Sequence, residues 1–309
     1  MSARVLRMGT RGSPLAVAQS SGYARLLERT HPGLKVEQVL IKTSGDALSE
    51  ASGADRFAPA AGPDPNVKAM FVKELETALL GGRVDFAVHS AKDLPADIPE
   101  GLTLAGFPAR EDPRDVFVGA AAAARFADLP QGAVIGTVSS RRRFQLASVR
   151  PDLVFVPMRG NVDTRLKKLA GGAAAGLVLA LAGLRRLGLS VDHEVLPVDL
   201  VVPAPGQGAL AVECRADDAP TRELLAPTFD ADTGLEVDVE RRFLRAVGGG
   251  CSTPLGALAR VEGAAISLRV FWCRADGTAP ARLAGRAGRR PEELASLVDG
   301  LAGRLLAGG

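Results

Sequence analysis

Val5-Leu6-Arg7-Met8-Gly9-Thr10-Arg11-Gly12-Ser13-Pro14-Leu15-Ala16 passes from a β-rich run directly into a helix start. Val5 to Met8 reads as a strand. Ser13 is a good N-cap, and Pro14 suits the first helical position, where a missing N–H is no loss. Leu15, Ala18, Leu26 and Leu27 then supply an apolar stripe at helical spacing. A helix that starts where a strand ends presents unpaired N–H groups and its positive dipole end, which together make a ready anion site. The same grammar returns at Gly136-Thr137-Val138-Ser139-Ser140, where Arg141 to Arg143 open a helix, and at Met158-Arg159-Gly160-Asn161. Further β-rich runs at Val36–Ile41, Asp85–Val88, Val116–Val118, Val134–Gly136, Val154–Val156 and Leu177–Ala180 alternate with helical patterns, as in α/β sheets. Beyond about Asp230 the pattern changes. A helix through Glu236 to Val247, a glycine-cysteine loop, a strand at Ile266 to Phe271 and a helix from Pro291 to Leu306 read as a smaller α+β unit. Leu48 to Pro65 has neither period and reads as mobile cover, and the alanine-rich stretches read as helix or loop.

Composition bounds what such a chain does. Its 309 residues, 47% hydrophobic, are enough for two or three cores. Net charge is only +3, yet basic residues cluster at Arg141–Arg143, at Arg185–Arg186 and around Asn161. One Trp and one Tyr leave few stacking platforms for nucleic acid, and neither a helix-turn-helix nor an RNA-binding motif is present. Cys214, Cys251 and Cys273 are far apart and lack Cys-x-x-Cys spacing, so neither a disulfide framework nor a metal site is expected. The first residues hold no apolar run of signal length, and the most apolar window, Ala173–Leu184, is too short to span a bilayer. The expectation is a cytoplasmic chain with no membrane or nucleic-acid partner.

The residues that carry chemistry follow strand ends. His89-Ser90-Ala91-Lys92-Asp93-Leu94-Pro95 comes directly after Phe86-Ala87-Val88, where open α/β sheets place ligands. Asp93 is the candidate acid: beside Lys92 it stays ionised and stabilises a cation or accepts pyrrole-like N–H groups; the alternative is an exposed Lys92–Asp93 turn pair. His89 reads as structural, and His31 and His193 have no evident partner. Arg11, Arg141–Arg143, Arg159, Arg165 and Arg186 each read singly as solvated. Together, five of them follow strand ends or helix starts and would converge on one cleft to fork a polycarboxylate. Gly206-Gln207-Gly208-Ala209 reads as a tight crossing between domains; with no Gly-Lys-Ser/Thr after it, it is no phosphate loop. Gly248 to Gly250 give the Cys251 thiol room for a covalent attachment, or fold it into a tight turn as a small buried hydrophobe.

These residues, in order, resemble the hydroxymethylbilane synthases, also called porphobilinogen deaminases. The carrying segments are Thr10–Ala16, Phe71-Val72-Lys73-Glu74-Leu75-Glu76, Val88–Pro95, Arg110-Glu111-Asp112-Pro113-Arg114-Asp115, Arg159-Gly160-Asn161-Val162, Ala182-Gly183-Leu184, Gly206–Ala209 and Gly249-Gly250-Cys251, so the likeness runs almost end to end. It implies two α/β domains of the type II periplasmic-binding-protein kind, 1–108 with 203–226 and 110–201, and a smaller α+β C-terminal domain, 230–309. It implies a monomeric transferase that forms C–C bonds between pyrroles in tetrapyrrole (heme) biosynthesis. Cys251 would hold a dipyrromethane cofactor through a thioether. Each porphobilinogen would lose ammonia to give an electrophilic azafulvene, which the growing chain attacks. After four additions, hydrolysis would release the linear product. Asp93 would be the catalytic carboxylate. Cys251, Lys92, Ser90, Ser139, Arg141, Arg142, Thr137 and Gly206 would hold the cofactor, and Arg11, Ser13, Arg159, Arg165, Arg186, Lys68 and Phe71 the substrate. Two departures stand out: Asn66-Val67-Lys68-Ala69-Met70-Phe71 replaces a glycine-rich stretch, and Val138 stands where serine is common. The rival from another class is a non-enzymatic anion-binding protein on the same two-lobed scaffold, which needs neither Asp93 nor a tethering thiol.

Overall fold

The structure is a computed structural model that describes residues 4–43, 69–122, 124–248 and 253–308; the cover expected at 48–65 lies outside them. The first lobe contains β1 (Arg4–Thr10), α1 (Pro14–Thr30), β2 (Leu34–Leu40), α2 (Ala69–Leu80), β3 (Phe86–Ser90), a 3-10 turn at Ala91–Asp93, and β4 (Leu102–Gly106). The second contains β5 (Asp115–Gly119), β6 (Val134–Gly136), α3 (Ser140–Ala147), β7 (Val154–Val156), α4 (Val162–Ala170), β8 (Gly176–Ala180), α5 (Leu181–Arg186) and β9 (Glu194–Val195). The chain then returns to the first sheet as β10 (Leu210–Arg215), followed by α6 (Ala219–Leu225). Ser13 caps α1 as expected, its Oγ accepting from the Ala16 amide at 3.3 Å.

The two sheets have one topology. Their strand orders are β2-β1-β3-β10-β4 and β7-β6-β8-β5-β9, and in each the fourth position is taken by the strand that has just crossed from the other lobe. β1, β2 and β3 are mutually parallel, as are β6, β7 and β8, whereas β10 and β5 run antiparallel to their neighbours. The reason is geometric. A strand that enters a sheet from the side where the parallel strands end must run against them. The carboxyl ends of both sets of parallel strands therefore face the two crossings, where open α/β sheets bind ligands. Helices cover both faces of the first sheet. Tyr23 and Leu27 of α1 pack on Met8, Phe86 and Val212, while Leu75 and Leu79 of α2 pack on Val84 and Ala87.

The third unit places α7 (Ala231–Ala246) and α8 (Pro291–Gly308) against an antiparallel sheet of β11 (Leu255–Glu262), β12 (Ala265–Trp272) and β13 (Ala281–Gly288). Phe243, Leu255, Ile266, Val298 and Leu301 are buried between them. β11 and β13 are strands that the sequence reading did not place: Leu-Gly-Ala-Leu-Ala-Arg-Val-Glu and Ala-Arg-Leu-Ala-Gly-Arg-Ala-Gly. The small side chains carry little β preference of their own, and pairing with β12 on both sides decides their conformation. The histidines bring a correction. His31 Nε2 lies 2.7 Å from the Leu224 carbonyl and His193 Nδ1 2.8 Å from that of Val191. His89 is structural, its Nε2 3.0 Å from Glu213 Oε2 in the interior.

Candidate active site

A cleft lies between the lobes at the crossings. Leu15 and Gln19 of α1, Ser90 at the end of β3 and Lys92 just after it form one wall. Arg142 of α3, Val162 and Arg165 of α4, Leu179, and Arg186 of α5 form the other, with Gly206 and Gly208 of the second crossing between them. Both glycines are required by the close approach of the backbone. Gly206 has φ +72, and a Cβ there would sit 3.0 Å from the Lys92 amide; Gly208 has φ +87, and a Cβ there would strike the Glu111 carbonyl.

Four cations face this space. Burial draws the Lys92 ammonium down to about 8; Arg142 and Arg141 push the same way, while Asp93 and Asp115 oppose them. Burial likewise draws Arg165 down to about 10, with Arg142 adding repulsion, and Arg186 to about 10 against the pull of Glu111. Arg186 Nη2 donates to the Gly208 carbonyl at 2.6 Å. The buried Arg165 Nε has no hydrogen-bond partner. A partly desolvated cationic wall of this kind favours anionic ligands, which relieve the repulsion and satisfy the orphan donor.

Behind the wall lies a carboxylate whose importance the sequence reading missed. Asp115, the first residue of β5, is fully buried. It accepts from Arg141 Nη1 at 2.6 Å, from Arg142 Nε at 3.0 Å and Nη2 at 2.8 Å, and from Gln207 Nε2 at 2.9 Å. Burial alone would raise its pKa; Arg141 and Arg142 outweigh that and hold it well below the usual carboxylate range. Arg141 is further engaged by the Val202 carbonyl at 2.7 Å and is not among the cleft-lining residues, so it braces Arg142 from behind. Glu240 of α7 plays a similar part for the crossings. Fully buried, it accepts from Arg110 Nη1 at 2.7 Å, from the Gly206 amide at 2.6 Å and from the Ala259 amide at 2.9 Å, tying both crossings to the third unit.

Of the predicted site residues, Ser90, Lys92, Arg142, Arg165, Arg186 and Gly206 line the cleft. Asp93 ends the 3-10 turn directly after Lys92 and is half-buried. The Ser90 hydroxyl is held by Gln19, whose Nε2 donates to it at 3.0 Å; Gln19 too was missed. Ser139 caps α3, its Oγ accepting from the Arg142 amide at 3.4 Å, and Thr137 Oγ1 accepts from the Ser139 amide at 3.1 Å, so both hydroxyls fix the segment that aims Arg142. Arg11 and Ser13 lie between β1 and α1, outside the cleft lining, and Arg159 is exposed. Val138 is exposed too, 46% accessible. Lys68 and Cys251 lie outside the described residues, as does the side chain of Phe71. Among the described residues no group of three or more His, Cys, Asp or Glu is placed to hold a metal ion, and no helix is long and apolar enough to cross a membrane.

Two lobes of matched topology, a cationic cleft at their crossings and a third α+β unit tied to those crossings define a two-lobed α/β protein with a C-terminal α+β unit. Residues 6–223 match the family described as porphobilinogen deaminase, dipyromethane cofactor binding domain, and residues 234–306 match porphobilinogen deaminase, C-terminal domain. The chain belongs to the porphobilinogen deaminase family. It is 47% identical over 274 residues to a porphobilinogen deaminase of Sorangium cellulosum, covering 88% of each chain, and 46% identical to one of Geobacter sulfurreducens, covering 88% of this chain and 83% of the relative. Among solved structures it is similar to the methionine-binding protein MetQ, at 14% identity and a TM-score of 0.42 over 77% of this chain and 94% of that one.

Proposed function

We propose that this chain is a hydroxymethylbilane synthase, which joins four porphobilinogen molecules onto a dipyrromethane primer attached to Cys251, with loss of ammonia at each addition, and releases the linear tetrapyrrole by hydrolysis. The family match supports the reaction. The observation that carries the reading is the convergence of Lys92, Arg142, Arg165 and Arg186 on one cleft, with Arg165 Nε buried and unpartnered. Dipyrromethane bears carboxylates on both rings, so this donor set fits it.

Lys92 and Arg142 hold cofactor carboxylates, Ser90 and Ser139 add hydroxyl donors, and Thr137 and Arg141 keep α3 and its arginine in place. The bare backbone of Gly206 leaves room beside Lys92. When bound, dipyrromethane supplies the nucleophilic pyrrole carbon to which the first unit is joined. Asp93 accepts pyrrole N–H groups and stabilises positive charge developing on nitrogen. Arg165 and Arg186 bind substrate carboxylates from within the cleft, and Arg11, Ser13, Arg159, Lys68 and Phe71 contact the substrate and the lengthening product from around it. Each added unit brings further negative charge, which distributed forked cations accommodate better than one tight pocket. Residues 1–108 with 203–226, 110–201 and 230–309 act as three domains, and the chain works as a cytoplasmic monomer.

Asp93→Asn tests the assignment. The expected result is an unchanged fold and cofactor content, with kcat reduced at least about a hundredfold, the scale on which preorganised charge stabilisation operates. A turnover rate near that of the wild type would remove Asp93 from the reaction.

A further inference from the structure

Gln207 sits in the second crossing, and its side chain is fully buried. Its Oε1 accepts from Lys92 Nζ at 3.3 Å, in the first lobe. Its Nε2 donates to the Pro113 carbonyl at 2.6 Å and to Asp115 Oδ1 at 2.9 Å, in the second. These partners dictate the amide orientation, because the opposite one would put an NH₂ against an ammonium and a carbonyl against two acceptors. The backbone is equally constrained: the Gln207 carbonyl accepts from Arg110 Nε at 2.9 Å, and its N–H donates to the Ala204 carbonyl at 2.9 Å.

The result is a neutral amide placed between a cation and a buried carboxylate that would otherwise attract each other. A glutamate here would pair with Lys92 and repel Asp115; an apolar residue would withdraw an acceptor from the ammonium. We propose that Gln207 is a positioning residue for the reaction: it holds the Lys92 ammonium at the cleft wall and keeps it apart from Asp115, so that Asp115 serves Arg141 and Arg142 while the Lys92 charge serves the ligand. Among the described residues, the charged groups that act on Lys92 include Asp93 on its own turn, Arg141 and Arg142 of α3, and Asp115 of β5. Asp115 is already bound by both arginines, and the Gln207 amide is the neutral group that bonds both this carboxylate and the Lys92 ammonium. The inference rests on the reading of Lys92 as a ligand-binding residue of the cleft.

The test is a pH titration of the Lys92 side chain in the full chain by lysine-selective carbon NMR, the resonance being assigned by its loss in Lys92→Arg. Wild type, Gln207→Glu and Gln207→Met are compared, with the pH profile of kcat/KM measured in parallel. Relative to wild type, the Lys92 pKa rises by about one unit in Gln207→Glu and falls in Gln207→Met, a roughly tenfold change in proton affinity for the charged substitution. The alkaline decline of kcat/KM moves in the same two directions. A general loss of packing would not move the two variants oppositely. If Gln207→Met fails to fold, the upward shift in Gln207→Glu still decides the matter. A Lys92 pKa unchanged in Gln207→Glu, or moved the same way in both variants, overturns the inference. The titration reads the Gln207–Lys92 coupling even if Lys92 takes no part in turnover. A Lys92 pKa that shifts as stated while kcat/KM keeps its pH profile would count against the role of Lys92, and with it against Gln207 as a positioning residue.

Discussion

Asp115→Asn should be among the most damaging single changes in the second lobe, although the residue never reaches the cleft. The side chain accepts four hydrogen bonds, three from two buried guanidinium groups and one from Gln207. Asparagine keeps one carbonyl acceptor, but it turns an NH₂ toward a guanidinium and leaves Arg141 and Arg142, 5% and 8% exposed, without their counter-charge. Charge-assisted bonds of this kind contribute about 1.5–3 kcal/mol each, but burying the three charges costs a comparable amount, so their sum is no guide to the net effect. Breaking a buried pair by removing one partner costs about 3–5 kcal/mol, and that is the expected loss at neutral pH. The pH dependence follows from the depressed carboxyl. A carboxylate held below its ordinary 3.8 stabilises the fold fully above that value and loses its contribution as pH falls through the folded-state pKa. Urea unfolding of wild type and Asp115→Asn should therefore differ by a constant amount from pH 7 down to about pH 4, and the two should converge below it. A loss under about 1 kcal/mol at pH 7, or a difference that grows on acidification, would refute the reasoning.

Two further outcomes follow from the same geometry. Gly206→Ala places a side chain at φ +72 and 3.0 Å from the backbone at Ala91 and Lys92; it should cost about 1–3 kcal/mol and raise KM, and an unaltered melting temperature and KM would count against the close approach. Arg165→Met removes a buried cation whose Nε is unpartnered, so the chain should be at least as stable to urea as the wild type while KM for porphobilinogen rises; a clear loss of stability would mean that Arg165 is already well paired.

Local signals were legible in the sequence wherever one residue type settles the backbone. Ser13-Pro14 marks the start of α1, and the apolar runs at Val134–Gly136 and Val154–Val156 are the strands observed. The cleft cations were legible because Lys92, Arg142, Arg165 and Arg186 all follow strand ends or sit on the helices that begin there. Their supports were not. Gln207 meets Lys92 and Asp115 across 115 and 92 residues of sequence, and Glu240 meets Gly206 across 34. No local pattern shows that the glutamine of a glycine-flanked turn is wedged between two lobes. Arg141 and Arg142 are adjacent and chemically identical, and only the helix geometry decides that Arg142 faces the cleft while Arg141 braces it. The alanine-rich strands β11 and β13 were hidden because sheet pairing, not composition, makes them extended.

The central claim is that the cationic cleft serves a primer covalently attached to this chain, and the mass of the intact purified protein tests it most directly. The account predicts a mass above that of the polypeptide by one dipyrromethane unit, with the added mass absent in Cys251→Ser. An active wild-type chain at its unmodified polypeptide mass would contradict it.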